Sequence, residues 1–227
     1  MQITTLANIK GGSGKSTTAL NLAITGHYLG HRTAAIDIDK QASLAKLGER
    51  RREAGRNEPM IVQAKHDDFD LLDLIDGART IGIEHLFIDT SGHLEHRDRL
   101  EIACRAALLI LMPFKPMGPD FEALPETLEL VARLGLLERL QPLIVDAPPK
   151  YGFGENKMVR LAHQELDAFG LEAHPIIIRR GQPIIDGYVL AKGGIEVDPR
   201  HKACALFVHL YRDITRAVVP VVMAAAS

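Results

Sequence analysis

Short, almost uninterrupted apolar runs recur along the chain, and a longer segment with apolar residues at helical spacing follows nearly every one. A strand that is apolar on both faces has to be covered on both, and strands that alternate with helices pair in parallel. The pattern predicts strands at 2–9, 33–38, 60–64, 85–88, 107–112, 142–145 and 175–178. It predicts helices at 15–29, 41–54, 69–78, 95–105, 121–134, 156–169 and 201–219, with Pro125 in the first turn of its helix. The glycine-rich stretch after 180 reads as loop. The expected fold class is α/β: a single doubly wound, mostly parallel sheet with helices on both faces, residues 1–227 forming one domain. Ligands in such sheets bind beyond the carboxyl ends of the strands. That rule selects 10–16, 37–41, 89–92, 113–118 and 146–154 as site loops.

Composition narrows the class of partner. The 227 residues hold 27 Lys and Arg against 29 Asp and Glu, a net charge of -2, so no global pull toward nucleic acid exists. With no Trp and 5% aromatic residues, the core must be aliphatic. Two cysteines, Cys104 and Cys204, exclude a disulfide-dense secreted scaffold and read as buried thiols in a reducing cytoplasm. The opening Met1-Gln2-Ile3-Thr4-Thr5 lacks the basic region of a signal peptide. The longest apolar stretch, 217–226, contains Pro220 and falls short of the ~20 residues of a membrane span, so no membrane partner is expected.

The most specific motif is Lys10-Gly11-Gly12-Ser13-Gly14-Lys15-Ser16-Thr17, set between a strand and a helix. It departs from the common phosphate-loop pattern, since Ile9 stands where the first glycine belongs. The chemistry is kept. Gly11, Gly12, Ser13 and Gly14 let successive backbone N–H groups curl around phosphate oxygens. The helix start adds partial positive charge. Lys15 can reach the β- and γ-phosphates, and the Ser16 hydroxyl can ligate Mg2+. The fold expectation sharpens to one like the P-loop NTPases, with a nucleotide's phosphates and Mg2+ as ligands.

Two further strands end in acids. Asp37 and Asp39 follow an apolar run at i and i+2, which in extended chain puts both on one side. One could organise Mg2+ while the other orients the attacking water, which suffices for phosphoryl transfer. Such a pair also serves as a helix cap. The run His85-Leu86-Phe87-Ile88 ends in Asp89, a candidate Mg2+ carboxylate. His93 and His96 alone do not make a zinc site, because no further ligand cluster accompanies them.

From 179 to 216 the basic residues Arg179, Arg180, Lys192, Arg200, Lys202, Arg212 and Arg216 outnumber the acids Asp186, Glu196, Asp198 and Asp213. Such a surface can grip DNA phosphates without reading sequence, or it can be an ordinary solvated helix face. The Arg50-Arg51-Arg52 run reads as an exposed helix end.

The loop at 10–17 resembles the deviant Walker A motif of the ParA/MinD family of ATPases, closest to small plasmid-type ParA partition proteins. The resemblance spans nearly the whole chain and is weakest in the last third. It implies that Lys10 is the signature lysine, which contacts the nucleotide of the opposite subunit in an ATP-bound dimer. The 37–41 segment is similar to the family's Asp-x-Asp-Pro-Gln, with Lys40 in place of Pro. By that match Asp39 is the hydrolytic aspartate and Asp37 supports the metal. Asp89-Thr90-Ser91-Gly92 resembles the switch segment without its usual prolines. Asp146, before Pro148-Pro149-Lys150, stands where the family has an Asn near the adenine. The resemblance also places non-specific DNA binding in the last third, at Arg179, Arg180, Arg200 and Lys202.

The function implied is a cytoplasmic, nucleoid-associated partition ATPase. It would dimerise on ATP, bind DNA non-specifically and be released when a centromere-binding partner protein stimulates hydrolysis. Three alternatives stay open: a ParA-like accessory of conjugative DNA transfer, a MinD-like membrane positioning ATPase, and a nucleotide-dependent scaffold with almost no turnover.

Overall fold

Six strands form one sheet: β1 (Gln2–Leu6), β2 (Thr33–Asp37), β3 (Met60–Gln63), β4 (His85–Asp89), β5 (Leu109–Phe114) and β6 (Leu140–Ile144). The computed structural model describes residues 1–64, 68–92, 97–150 and 154–216. The strand order is β3-β2-β4-β1-β5-β6, and every pairing is parallel. Nine helices accompany the sheet among the described residues: α1 (Lys15–Tyr28), α2 (Ser43–Glu53), α3 (Asp68–Thr80), α4 (Arg97–Ala106), α5 (Gly118–Arg133), α6 (Lys157–Asp167), α7 (Gln182–Leu190), α8 (Gly194–Val197) and α9 (Lys202–Arg216).

Side chains along each strand alternate between two cores. In β4, Leu86 and Ile88 face one core and Phe87 the other; in β5, Ile110 and Met112 are split from Leu111 in the same way. The first core is closed by α3, α4, α5 and α6, through residues such as Leu71, Cys104, Leu124 and Val159. The second is closed by α1, α2 and α9, through Leu20, Leu44 and Phe207. The expected doubly wound α/β architecture is therefore present, and it is wholly parallel among these strands. Both cysteines are buried free thiols, and burial pushes Cys104 up to about 12 and Cys204 to about 11, so neither is reactive.

Several sequence expectations shift. The 175–178 segment is not a ladder strand. It runs beside the end of β6 through Ile178 N–H to the Ile144 carbonyl and a single bridge from Ala147 to Arg179. Helix α5 starts earlier than expected, because Pro119 occupies its first turn, where a missing N–H costs nothing; Pro125 lies inside the helix. The stretch expected as loop after residue 180 contains α7 and α8. His93, His96 and the 217–227 tail, on which the membrane alternative turns, lie outside the described residues. Among the described residues no helix is long and apolar enough to cross a membrane.

The Arg50-Arg51-Arg52 run ends α2 with Arg50 and Arg52 exposed, as expected, but Arg51 departs from that reading. Arg51 is 1% exposed and pairs with both carboxylate oxygens of Glu196, at 2.6 and 3.1 Å. It also donates to the Ala191 and Glu58 carbonyls. Arg50 reaches the Val189 carbonyl and Arg52 the Ile61 carbonyl. Arg50 and Arg51 tie α2 to the α7–α8 region, and Arg52 ties it to β3. Removing one partner of a buried pair strands the other, so Arg51→Ala should lower the unfolding free energy by about 3–5 kcal/mol in urea titration. Arg52→Ala, which loses one bond to a carbonyl, should cost about 1 kcal/mol.

Candidate active site

The phosphate loop grows out of β1, the strand flanked by β4 and β5. Asn8 anchors it: its side-chain amide donates to the Pro113 carbonyl, and its Oδ1 accepts from Lys10 N–H. Gly11 and Gly12 stand exposed at the tip, and Ser13 is fully buried. Gly14 precedes α1 with φ +100°, and a Cβ there would lie 2.9 Å from Val145 Cγ2, so glycine is required twice over. No side chain caps α1, and its first turn has no acid. Its amides therefore remain available to an anion.

Lys15 is 6% exposed, and its ammonium donates to the Lys10 carbonyl at 3.0 Å. Burial lowers its pKa, while Asp89, Asp39 and Asp120 favour the charged form. Ser16 faces Asp89, and its hydroxyl favours the ionised carboxylate. Neither Asp89 oxygen closes a well-formed hydrogen bond, although both are buried. Burial, reinforced by Asp37, pushes Asp89 up to about 8. Two orphaned carboxylate oxygens beside a hydroxyl are a hard-oxygen donor set that fits Mg2+.

Asp37 and Asp39 do not share a side. Strand β2 ends at Asp37, so the extended geometry stops there. Asp37 is 0% exposed and turns under α2, where its carboxylate accepts from the N–H groups of Asp39, Leu44 and Ala45. Burial raises its pKa, against the pull of those three bonds. It lies opposite Asp89 in the β2–β4 register. Asp39 instead stands at the mouth, lining a cleft of about 530 Å³ together with Gly11, Gly12, Gly14, Lys15, Ser16 and Thr17. That volume suits a small-molecule ligand.

Lys10 turns aside and forms an ion pair with Asp120 at the start of α5, with 26% of its side chain exposed. Asp120 also accepts from Lys115 N–H, which fixes the carboxylate. The switch-like segment presses on the loop: a Cβ on Gly92 would lie 2.7 Å from Gly11 N. Any side chain at 92 would displace the phosphate loop.

The four expected DNA-binding residues separate. Arg200 and Lys202 are exposed at the entrance to α9. Arg179 and Arg180 line the cleft instead. Arg179 donates to the Pro148 carbonyl and to Glu155, and Arg180 makes a two-pronged pair with Asp146 at 2.8 and 3.0 Å. The expected 113–118 loop does bring Lys115 to the cleft, but sequence reasoning missed Asp120 and the α7 face of Ile184, Ile185, Tyr188 and Val189 that walls the cleft. Pro183 in the first turn and that apolar spacing were the available signals for α7.

The raised Asp89 sets two pH dependences. Divalent cation binding requires the ionised carboxylate, so the affinity for Mg·ADP should rise with pH from 6 to 8, by up to about tenfold per unit, and then level off in calorimetric titration. A folded pKa above the unfolded one stabilises below the unfolded value and loses that contribution as pH rises through 8. Without ligand, Asp89→Asn should therefore melt higher than the parent at pH 8, with the gap closing as pH falls toward 4.

A protein-family model for the CobQ/CobB/MinD/ParA nucleotide binding domain matches residues 4–214. Among curated relatives, replication protein A of Rhizobium rhizogenes is 41% identical over 70 residues, 30% of this chain and 17% of that protein. Protein virC1 of Rhizobium radiobacter is 30% identical over 141 residues, 62% of this chain and 60% of that protein. The matches thus span less than two thirds of these relatives. Solved structures share the fold at low identity. The MinD cell division protein of Aquifex aeolicus has a TM-score of 0.71 at 16% identity, covering 97% of this chain and 99% of that one. A plasmid partition protein from Borrelia burgdorferi B31, bound to AMPPNP, has a TM-score of 0.71 at 18% identity, covering 96% and 99%. The family match covers nearly the entire described length, and the chain belongs to the CobQ/CobB/MinD/ParA nucleotide binding domain family.

Proposed function

We propose that the chain, read as a single domain over 1–227, is a Mg2+-dependent ATPase of the partition type. The observation that carries this reading is the buried Lys15 at an uncapped helix start, near the fully buried Asp89 carboxylate that Ser16 faces. The backbone amides of 11–16 and Lys15 hold the phosphates of ATP. Ser16 and Asp89 would hold Mg2+, with Asp37 opposite Asp89 in the β2–β4 pairing. When bound, the cation would supply positive charge against the phosphate oxygens. Asp39 orients the water that attacks the γ-phosphorus, the bond to the bridging oxygen breaks, and ADP and phosphate leave.

Lys10 supports the dimeric part of this reading. Its ammonium sits part-exposed on Asp120, and in this reading it exchanges that carboxylate for the nucleotide of a second subunit. The ATP dimer then binds DNA through phosphates without reading sequence, using Arg200 and Lys202. Arg179 and Arg180, tied to carboxylates beside the cleft, act at the base end of the nucleotide site instead. A centromere-binding partner accelerates hydrolysis and releases the dimer. The cytoplasm and its nucleoid are the expected location.

Lys15→Ala should abolish ATP binding measured by calorimetry, and unchanged affinity would remove the phosphate-loop assignment. Asp39→Ala should slow hydrolysis by about 100-fold or more while ATP affinity and ATP-dependent dimerisation persist. The double change Arg200→Ala and Lys202→Ala should weaken binding to random duplex DNA and flatten its salt dependence by about two units of slope for each subunit engaged. Footprinting separates the alternative of a DNA-transfer accessory, which would protect one site, from the partition reading, which protects none.

A further inference from the structure

Nothing in the nucleotide site accounts for a cluster at the opposite end of the sheet. His31, in the turn from α1 to β2, meets Glu84 and His85 where the chain enters β4. One ligand atom from each residue lies within 4.8 Å of the other two. His31 Nδ1 is 2.7 Å from Glu84 Oε2. The imidazole rings are perpendicular, with centroids 5.3 Å apart.

Backbone geometry builds the cluster. Arg32 carbonyl accepts from both Glu84 N–H, at 2.7 Å, and His85 N–H, at 3.3 Å, and Gln2 N–H donates to Glu84 carbonyl at 2.7 Å. The turn and the strand entrance are thereby held together before any side chain contributes. Tyr211, from α9, closes the site from within the protein, its ring centroid 5.3 Å from His85 and 5.6 Å from His31. A Cβ on Gly26 would lie 2.5 Å from Tyr211 Cε2, so the glycine leaves room for that ring.

A second observation points to a ligand. Tyr211 is 1% exposed, and its hydroxyl has no hydrogen-bond partner among the described residues; the buried Nδ1 of His85 has none either. Buried polar atoms are ordinarily satisfied, so two unpartnered ones on residues packed against the His31–Glu84 contact point to a further group at this cluster. Two imidazoles and one carboxylate are ligands for zinc and its first-row neighbours, with a fourth position left to water. That donor set differs in kind from the oxygen-only set of Ser16 and Asp89, which suits a hard cation.

We propose that His31, Glu84 and His85 form a site for a divalent transition metal of the zinc class, backed by the Tyr211 ring, which packs against both imidazoles. A bound ion would staple the α1–β2 turn to the entrance of β4 against α9. The site shares no residue with the nucleotide cleft, so it stands whether or not the chain hydrolyses ATP.

The test is a Zn2+ titration of the full chain, purified without a histidine tag and kept in excess Mg2+, read by competition with a chromogenic chelator. One ion per chain should bind far more tightly than millimolar and should raise the melting temperature. His31→Ala and Glu84→Gln change exposed side chains and should each weaken binding by at least about tenfold and abolish the thermal shift. His209→Ala, an exposed histidine elsewhere on α9, should bind like the parent. Absence of binding below millimolar Zn2+ would overturn the proposal and leave a plain His-Glu hydrogen bond. Undiminished binding in both His31→Ala and Glu84→Gln would also overturn it, by placing the ion on other histidines.

Discussion

The parallel pairing of β1 between β4 and β5 is the constraint from which the site follows. It sets Leu6 opposite both Asp89 and Leu111, so three loops leave the sheet at one edge and at one height. Two side chains lock them together: Thr90 Oγ1 donates to the Leu6 carbonyl, and Asn8 donates to the Pro113 carbonyl. Strand β2, paired outside β4, brings Asp37 to the same level as Asp89. Once this register is made, the phosphate loop, the acids and the cleft have nowhere else to stand.

That arrangement concentrates buried charge where folding alone would not put it. Asp37, Asp89 and Lys15 are nearly or wholly inaccessible within one small region. Desolvation opposes the charged form of each, and only Asp37 has its carboxylate well satisfied by backbone amides. The two aliphatic cores on either side of the sheet stabilise the fold enough to carry the strain. A site held this way is primed to lose its penalty when phosphate and a cation arrive, which couples ligand occupancy to stability.

What could be read in the sequence was whatever local chemistry decides. Glycines beside Lys15 and Ser16 permit the positive-φ turns of a phosphate cradle, which other residues resist, and two-sided apolar strands have one kind of environment, so loop and sheet were legible. The destinations of side chains were not. Asp37 and Asp39 look equivalent at i and i+2, yet the end of β2 sends one under α2 and leaves the other at the mouth. Arg51 looks like a solvated cation between two others, and only the arrival of Glu196 from far along the chain makes it a buried anchor. Helix α7 was hidden by glycines that serve packing: a Cβ on Gly187 would lie 2.6 Å from the Lys192 carbonyl oxygen, and one on Gly194 would lie 2.4 Å from Ile184 Cδ1.

Two helices connect the ends of the molecule. Helix α1 starts at the phosphate loop and runs about 21 Å at 1.5 Å per residue before the chain turns through His31. Helix α9 packs along it in the same core, presenting Phe207 to the cleft and, one turn later, Tyr211 to the His31–His85 cluster. Gly26 allows the close contact, since a side chain there would meet both Tyr211 and Thr33. The same helix pair therefore forms a wall of the nucleotide cleft at one end and the floor of the histidine cluster at the other. Close-packed helices move as a unit, because their interdigitated side chains leave little room for sliding. Any ligand that fixes one end of this pair thereby limits the positions open to the other.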